Sequence, residues 1–250
     1  MARCVNNIII VRVFAAVYKQ NNFFRYTLTF EDGSSRDLLL EIDAGSETLV
    51  APPPEAPPFW SKLDYQQCEN CPLSVERSPF CPVAINLISL IEWSGTLVSY
   101  TNVKVEVVTT ERSVSGETTL QRALSSILGL IMATSPCPHT EFLKPMAHFH
   151  LPLASAEETV YRTTSMFLLA QYFLHKDGRE ARLELDRLSD IYEQLQIVNR
   201  ALTRRFKAAS SQDATVNAII VLDLLSQSVT WSIEDGLEDL RYLFKRYGVK

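Results

Sequence analysis

Apolar and polar residues alternate in three segments of the first half of the chain, and this pattern predicts β-strands. Residues 24–30 and 36–42 are rich in aromatic and aliphatic side chains, and a polar segment containing Asp32 and Gly33 separates them. Because Asp-Gly favours a tight turn with positive φ, we predict a β-hairpin there. Residues 103–110 alternate with period two and are rich in β-branched side chains, so we predict a strand that pairs with the hairpin.

From residue 118 onward the strand pattern ends and apolar side chains recur with helical spacing. Residues 120–133 are apolar on most helical faces, which predicts a buried helix. Ser155 and Glu158 have the spacing of a capping box, so we predict a helix that begins there and ends near Lys176. Other helices are predicted at about residues 83–91, 186–208, 213–229 and 232–247.

These elements predict an α+β fold, in which a small antiparallel β-sheet in the N-terminal part packs on a C-terminal multi-helix bundle. Residues 1–22 are interpreted as an N-terminal extension. Residues 23–117 form the β-containing part, which includes one helix and a loop with three cysteines, and residues 118–250 form the helical bundle. Alternatively, these two parts are one continuous domain. Five of the eight residues 51–58 are proline, so we expect an extended connector there.

Composition and charge narrow the classes of function. Apolar residues make up 46% of the chain and charged residues 21%, which are the proportions of a soluble globular protein. The formal net charge of -5 indicates no basic surface for nucleic acid. The apolar tracts at residues 166–174 and 216–225 are shorter than the roughly 20 residues that span a bilayer. We therefore expect a cytoplasmic protein without a nucleic-acid or membrane partner, and its oligomeric state stays open.

Four of the five cysteines lie in three short segments that each contain a Cys-Pro pair. Cys68 and Cys71 form a Cys-x-x-Cys-Pro sequence, Cys81 follows after nine residues, and Cys137 lies two residues before His139. In a reducing compartment, closely spaced thiols more often bind metal or do redox chemistry than form disulfides. Two cysteines three positions apart can bind one metal, and Cys81 can supply a third bond. We predict Cys137 as the fourth ligand, with His139 as its substitute.

Two metal centres fit these ligands. Zinc takes four cysteines, or three and a histidine, but the usual second pair of closely spaced ligands is missing. An iron-sulfur cluster also needs about four thiolates, and Cys-Pro ends many bacterial cluster-binding sequences. We favour the iron-sulfur cluster slightly over zinc, in a structural, sensory or electron-transfer role.

Other interpretations of the same cysteines stay open. Cys68 and Cys71 are also compatible with a thiol redox pair, although no βαβ pattern surrounds them. Alternatively, the thiols are reduced and structural, and the chain is a metal-free interaction module whose helical bundle binds a protein partner. Cys4 stands apart from the others in a basic segment and is interpreted as incidental.

Signatures of common enzymes are missing from the sequence. It contains no G-x-G-x-x-G, no G-K-[ST], no H-E-x-x-H and no G-x-S-x-G, so common nucleotide-binding and hydrolase classes lose support. His148 and His150, with Glu141, Glu157 or Glu158, are candidates for a separate metal or acid-base site. We favour a structural role for both histidines near the end of a short helix. The basic residues Arg200, Arg204, Arg205 and Lys207 are interpreted as surface residues or as partners of the helix dipole.

Four motifs together resemble a bacterial protein family of unknown function. They are CxxCPL at residues 68–73, FCPVA at 80–84, LGLIMATSxCPH at 128–139 and FHLP at 149–152. The similarity runs from about residue 23 to the C terminus, which supports the boundary after residue 22. The resemblance implies no activity, so the function rests on the cysteines.

Overall fold

The computed structural model describes residues 21–52 and 54–249, in which a four-stranded antiparallel sheet packs on helices. The strands are β1 (Asn22–Phe30), β2 (Ser35–Ile42), β3 (Asn102–Val108) and β4 (Ser113–Thr119), in the spatial order β2-β1-β3-β4. The predicted hairpin is confirmed, with Gly33 in its turn at φ 82°. The predicted pairing of the third strand with the hairpin is also confirmed, since β3 pairs with β1.

The fourth strand was not predicted from the sequence. β4 contains one large apolar residue, Val114, and its remaining residues are serine, threonine, glycine and glutamate. It lies at the edge of the sheet and pairs only with β3 among the described strands, so few of its side chains need to be apolar.

The helices follow the predicted order, with two differences. They are α1 (Pro82–Asn86), α2 (Ile88–Ser94), α3 (Leu120–Ala133), α4 (Lys144–His148), α5 (Ala156–Lys176), α6 (Asp186–Ala209), α7 (Ala214–Glu234) and α8 (Glu238–Arg241), and a 3₁₀ segment follows at Tyr242–Tyr247. The predicted helix at 83–91 is divided into two helices, because Leu87, at φ -97° and ψ -4°, interrupts the helix between them. The start of the last helix near residue 232 was wrong, because α7 continues to Glu234 and a turn with positive φ at Gly236 follows.

One face of the sheet and most of α3 form the centre of the fold. Tyr26 and Leu28 of β1 and Val105 of β3 are fully buried. α3 packs on β3, β4 and α7, and most of its apolar side chains are buried. One buried cluster contains side chains from the sheet, from α3 and from α6 and α7. The α+β fold class is confirmed; the division at residue 117 stays a prediction, as does the N-terminal extension, most of which lies outside the described residues.

Helix α7 has 21 residues and a mean hydropathy of 1.4 over its most apolar window, so by length and composition it is able to cross a membrane. The helix is longer than the apolar tract identified in the sequence. It packs against α3, α5 and α6, and 28% of that window is buried. Core helices of soluble proteins have the same properties, so one such helix is weak support for a membrane span.

Candidate functional site

The loop between Ser61 and Cys81 carries three of the four cysteines. The N–H of Cys71 donates to the carbonyl oxygen of Cys68 at 3.0 Å, which closes a turn that contains both thiols. Asn70 within this turn donates through Nδ2 to the backbone oxygen of Gln194 on α6 at 3.1 Å. The Cys-x-x-Cys turn is thus attached to the helical bundle.

Cys81 lies at the N-terminal end of α1. Pro82 occupies the first turn of this helix, where a missing backbone N–H leaves no hydrogen bond unmade. The N–H of Cys81 donates to the carbonyl oxygen of Ser61 at 2.9 Å, so both ends of the loop are joined. The side chain is 8% exposed and belongs to the main buried cluster.

Cys137 follows the C-terminal end of α3 and is also 8% exposed. The N–H of Thr140 donates to its carbonyl oxygen at 2.9 Å, which closes a short turn. Nearby, Asn86 of α1 donates to the hydroxyl of Ser135 at 2.9 Å. This bond connects the Cys81 segment to the Cys137 segment, and both cysteines belong to the same buried cluster.

The four thiols influence one another electrostatically. Burial raises the pKa of Cys68 to about 12, and the charges of Cys81, Cys71 and Cys137 add to the rise. Burial raises the pKa of Cys137 to about 11, and the charges of Cys81 and Cys71 also raise it. Hydrogen bonds from the N–H groups of His139 and Thr140 lower this pKa but do not cancel the rise. All four thiols are free of disulfide bonds, and those of Cys68 and Cys137 are protonated at neutral pH.

Arg205 of α6 is a buried cation beside these thiols. It is 1% exposed, and its guanidinium donates to the carbonyl oxygens of Trp60, Lys62 and Leu63 at 2.6, 2.6 and 3.0 Å. Burial lowers its pKa, whereas the charges of Cys81, Cys68 and Cys71 act in the opposite direction. The guanidinium therefore holds the start of the cysteine loop and favours thiolates near it.

The interpretation of Arg205 as a surface or helix-dipole residue was wrong, because its side chain is buried. A usable signal was present in the sequence, because Arg205 lies three residues after Leu202 and seven after Val198, on the buried stripe of α6.

His139 connects the Cys137 segment to the Cys-x-x-Cys turn. Its Nε2 is 2.8 Å from the carbonyl oxygen of Asn70. A carbonyl oxygen only accepts hydrogen bonds, so Nε2 carries the proton and donates. This nitrogen is then unable to bind a metal, which leaves Nδ1 as the one ring nitrogen for the predicted substitute ligand.

Among residues 21–52 and 54–249, no three histidine, cysteine, aspartate or glutamate side chains form a group that holds a single metal ion. With zinc-sulfur bonds of about 2.3 Å, a tetrahedral ion holds its thiolates within about 4 Å of one another. Cys4 lies outside the described residues.

The two other candidate histidines lie in different environments. His148 has its Nδ1 3.1 Å from a carboxylate oxygen of Glu47 at the surface. His150 is hydrogen-bonded through Nε2 to the hydroxyl of Tyr26, and Ser126 is also within 3.5 Å. Burial, followed by the charge of Arg162, lowers the pKa of His150 to about 3.

The predicted carboxylate partners of these histidines are engaged elsewhere. Glu158 accepts from the N–H of Ser155 in the capping box, Glu157 accepts from the hydroxyl of Tyr242, and Glu141 lies 3.8 Å from Lys144. A site built from His148, His150 and these glutamates is therefore not formed among the described residues.

Comparisons with known proteins identify a family but no activity. No curated protein and no solved structure matches the chain. The family model described as domain of unknown function DUF6901 matches residues 24–245, which agrees with the boundary expected from the sequence motifs. The chain therefore belongs to this family.

Proposed function

We propose that Cys68, Cys71, Cys81 and Cys137 ligate an iron-sulfur cluster that fastens the cysteine loop to the end of α3. The observation that carries the proposal is that four thiols from three separate segments lie in or against one buried cluster, where His139 links the Cys137 segment to the Cys-x-x-Cys turn. Buried thiols gathered in this way are expected where a metal cation compensates their charge on deprotonation.

The surroundings of the thiols suit a cluster. Leu63 and Val83 are buried in the same apolar cluster as Cys81 and Cys137, and apolar neighbours shield inorganic sulfide from water. Cys68 and Cys71 are partly exposed, which leaves a path for electrons or for a small oxidant. The Arg205 guanidinium offsets part of the negative charge of a cluster with four thiolates.

Iron-sulfur is better supported than zinc. A single zinc ion needs three or more ligands in a tight group, and the described side chains form none. A cluster distributes its four thiolates over two or four irons, so thiolates on different irons stand farther apart than those on a single ion.

The metal content of the purified protein tests this proposal. After growth with iron and anaerobic purification, we expect about two or four iron atoms per chain, an equal amount of acid-labile sulfide and brown colour. Serine at position 68, 71, 81 or 137 is expected to reduce the iron to background, whereas Cys4→Ser, the matched control, retains it. His139→Gln also retains iron if four cysteines complete the site.

Two results would contradict the proposal. A colourless protein without iron or zinc would exclude any metal centre at these cysteines. Stoichiometric zinc without sulfide would exclude the iron-sulfur cluster and show that the cysteines bind zinc instead.

The thiol redox alternative has weaker support. A reactive cysteine needs a lowered pKa, because the thiolate is the nucleophile. The pKa of Cys68 is raised instead, by burial first and then by its neighbours.

A second candidate function is binding of a protein partner, and exposed apolar side chains on α5 favour it. Tyr161, Leu168, Leu169, Tyr172 and Phe173 follow one helical stripe and are all exposed. Because this stripe is available on every copy of the chain, we propose a second copy as the partner. Analytical ultracentrifugation is expected to show concentration-dependent dimers that L169E/F173E abolishes and that the control His175→Glu retains. A wild-type monomer at all concentrations would exclude this dimer.

A further inference from the structure

A cavity separate from the cysteines lies among α3, α4, α5, α6 and α7. Its volume is about 190 Å³, equal to the liquid volume of about six water molecules. Most of its lining is apolar and includes Leu130, Met132, Met146, Leu195 and Leu222. A space of this kind takes a compact ligand with an apolar body.

The charged residues in the cavity wall are all basic. Arg122 and Arg162 line it together with His150, and no aspartate or glutamate is present among the described lining residues. The wall therefore has a positive charge on a largely apolar surface, which favours an anion with an apolar body.

Arg162 is the cation best placed to bind such an anion. It is half-buried, and its Nη2 donates at 2.9 Å to the carbonyl oxygens of Met146 and Phe149. No carboxylate among the described residues lies within ion-pair distance of it. Glu158, one turn earlier on α5, acts on its charge at longer range and accepts from the N–H of Ser155. Its remaining N–H groups are available to a ligand, while the two carbonyl bonds fix the guanidinium in place.

Ser125 gives a second, independent indication of a ligand. It lines the cavity and is 2% exposed, yet its hydroxyl has no hydrogen-bond partner among the described residues. Buried hydroxyls are normally hydrogen-bonded, so an unpaired one in a cavity wall leaves a hydrogen bond for water or a bound molecule to supply.

His150 contributes polarity to the wall but no charge at neutral pH. The hydroxyl of Tyr26, whose pKa burial raises, stays protonated and is hydrogen-bonded to Nε2 of His150. Because this bond occupies Nε2, the cavity is suited to binding rather than to proton transfer.

We propose that this cavity binds a compact monocarboxylate, with its carboxylate on the Arg162 guanidinium and its apolar body among the leucine and methionine side chains. The planar guanidinium matches the two oxygens of a carboxylate. A single negative charge balances the one half-buried cation, Arg162, and a phenyl or branched alkyl group fits the cavity. The hydroxyl of Ser125 supplies a further hydrogen bond to the bound molecule.

Methionine methyl groups allow binding in this cavity to be observed directly. The chain has four methionines, of which Met132 and Met146 line the cavity whereas Met166 does not. With ¹³C-methyl methionine, titration with benzoate or 4-methylvalerate is expected to shift the Met132 and Met146 signals and to leave Met166 unchanged. Benzamide and inorganic phosphate are expected to cause at least about ten-fold weaker binding, since each lacks one of the two recognised features.

Variants separate a binding role from a structural one. Arg162→Gln is expected to weaken benzoate binding at least ten-fold, or about 1.4 kcal/mol, whereas the exposed matched control Arg179→Gln leaves it unchanged. If Arg162→Gln unfolds, Ser125→Ala provides the second test. This change is expected to raise the melting temperature of the free protein, because it removes an unpaired buried hydroxyl, and to weaken benzoate binding.

Three results would overturn the proposal. They are benzamide binding as tightly as benzoate, full binding by a folded Arg162→Gln or Ser125→Ala protein, and no response of Met132 and Met146 to either carboxylate. None of these results depends on the cysteine centre, so its failure and the failure of this proposal are distinguishable.

Discussion

At the scale of single residues, polar side chains inside the fold have roles that their sequence neighbours do not have. Arg205 binds three backbone carbonyl oxygens, whereas its neighbour Arg204 reaches Gln66 at the surface at 2.9 Å. His150 is neutral because it is buried and is hydrogen-bonded to Tyr26, and His148, two residues earlier, contacts Glu47 at the surface. Residues of one type that are one or two positions apart thus differ in role because one of each pair faces the interior.

The neutral state of His150 predicts a dependence of stability on pH. Its pKa is about 3 in the folded protein against 6.5 as the ordinary value. Between pH 6.5 and about pH 3 the imidazole is therefore protonated in the unfolded chain but not in the folded protein. The contribution of His150 to the free energy of unfolding is complete above pH 6.5 and decreases as the pH falls toward 3. We expect the free energy of unfolding, measured in urea between about pH 7 and pH 5, to fall by up to about 1.4 kcal/mol per pH unit.

His150→Gln is the matched variant, because its side-chain amide still hydrogen-bonds to the Tyr26 hydroxyl but does not titrate. The decrease in stability above pH 5 is expected to be smaller in this variant. An equal decrease in both proteins would show that another group causes the pH dependence.

At the scale of elements, residues close in sequence were enough to place most helices and strands. α5 begins at the predicted capping box, in which Ser155 and Glu158 exchange side-chain to backbone hydrogen bonds at 3.1 and 2.8 Å. β4 was missed because its edge position does not require apolar side chains, and the break at Leu87 was missed because the apolar pattern continues across it. The elements that are predictable from sequence are thus those whose capping hydrogen bonds and apolar periodicity involve residues close together in the chain.

Replacing the cap of α5 tests this local contribution. Ser155→Ala removes the acceptor for the N–H of Glu158, so we expect the free energy of unfolding to decrease by about 1 kcal/mol. Ser165→Ala, at an exposed position within the same helix, is the control and is expected to change stability far less. Urea denaturation at pH 7 measures both, and equal effects would show that the cap contributes nothing specific.

At the scale of the whole molecule, one buried cluster includes the sheet, α1 to α3 and the long helices α6 and α7. The cysteine loop lies at the boundary between the sheet-bearing half and the bundle, where Arg205, Asn70 and His139 attach it by hydrogen bonds. A metal centre would add covalent connections among segments that these bonds already bring together.

Removal of the metal is therefore predicted to have a local effect. In protein purified with its cluster, chelation under oxidising conditions is expected to increase amide hydrogen exchange in residues 61–81 and 134–140 at least about ten-fold. The amides of β1 and β3 are expected to change little, because the sheet is hydrogen-bonded independently of the loop. The C68S/C137S protein, treated in the same way, serves as the control and should show no change. A uniform increase along the chain would instead make the centre necessary for the entire fold.

The candidate cysteines were identifiable from spacing, but their surroundings were not. The short Cys-x-x-Cys separation marks two thiols that share a turn, and the turn is present. Whether a third and fourth thiol interact with them depends on how the segments at residues 81 and 137 pack. Ser125 carries no sequence signal at all, because its significance arises from the cavity beside it.

The sequence by itself determined the fold class, the family-matching region and most element boundaries, because capping boxes, an Asp-Gly turn and apolar periods depend on residues a few positions apart. Only the tertiary structure decided that Arg205 is buried beside the cysteine loop, that His150 is neutral and that a basic, apolar cavity separates α3 from α5. These properties depend on contacts between distant residues, such as Arg205 with Trp60 across 145 positions. Burial and charge in the interior follow from those contacts, since desolvation depends on everything packed around a group.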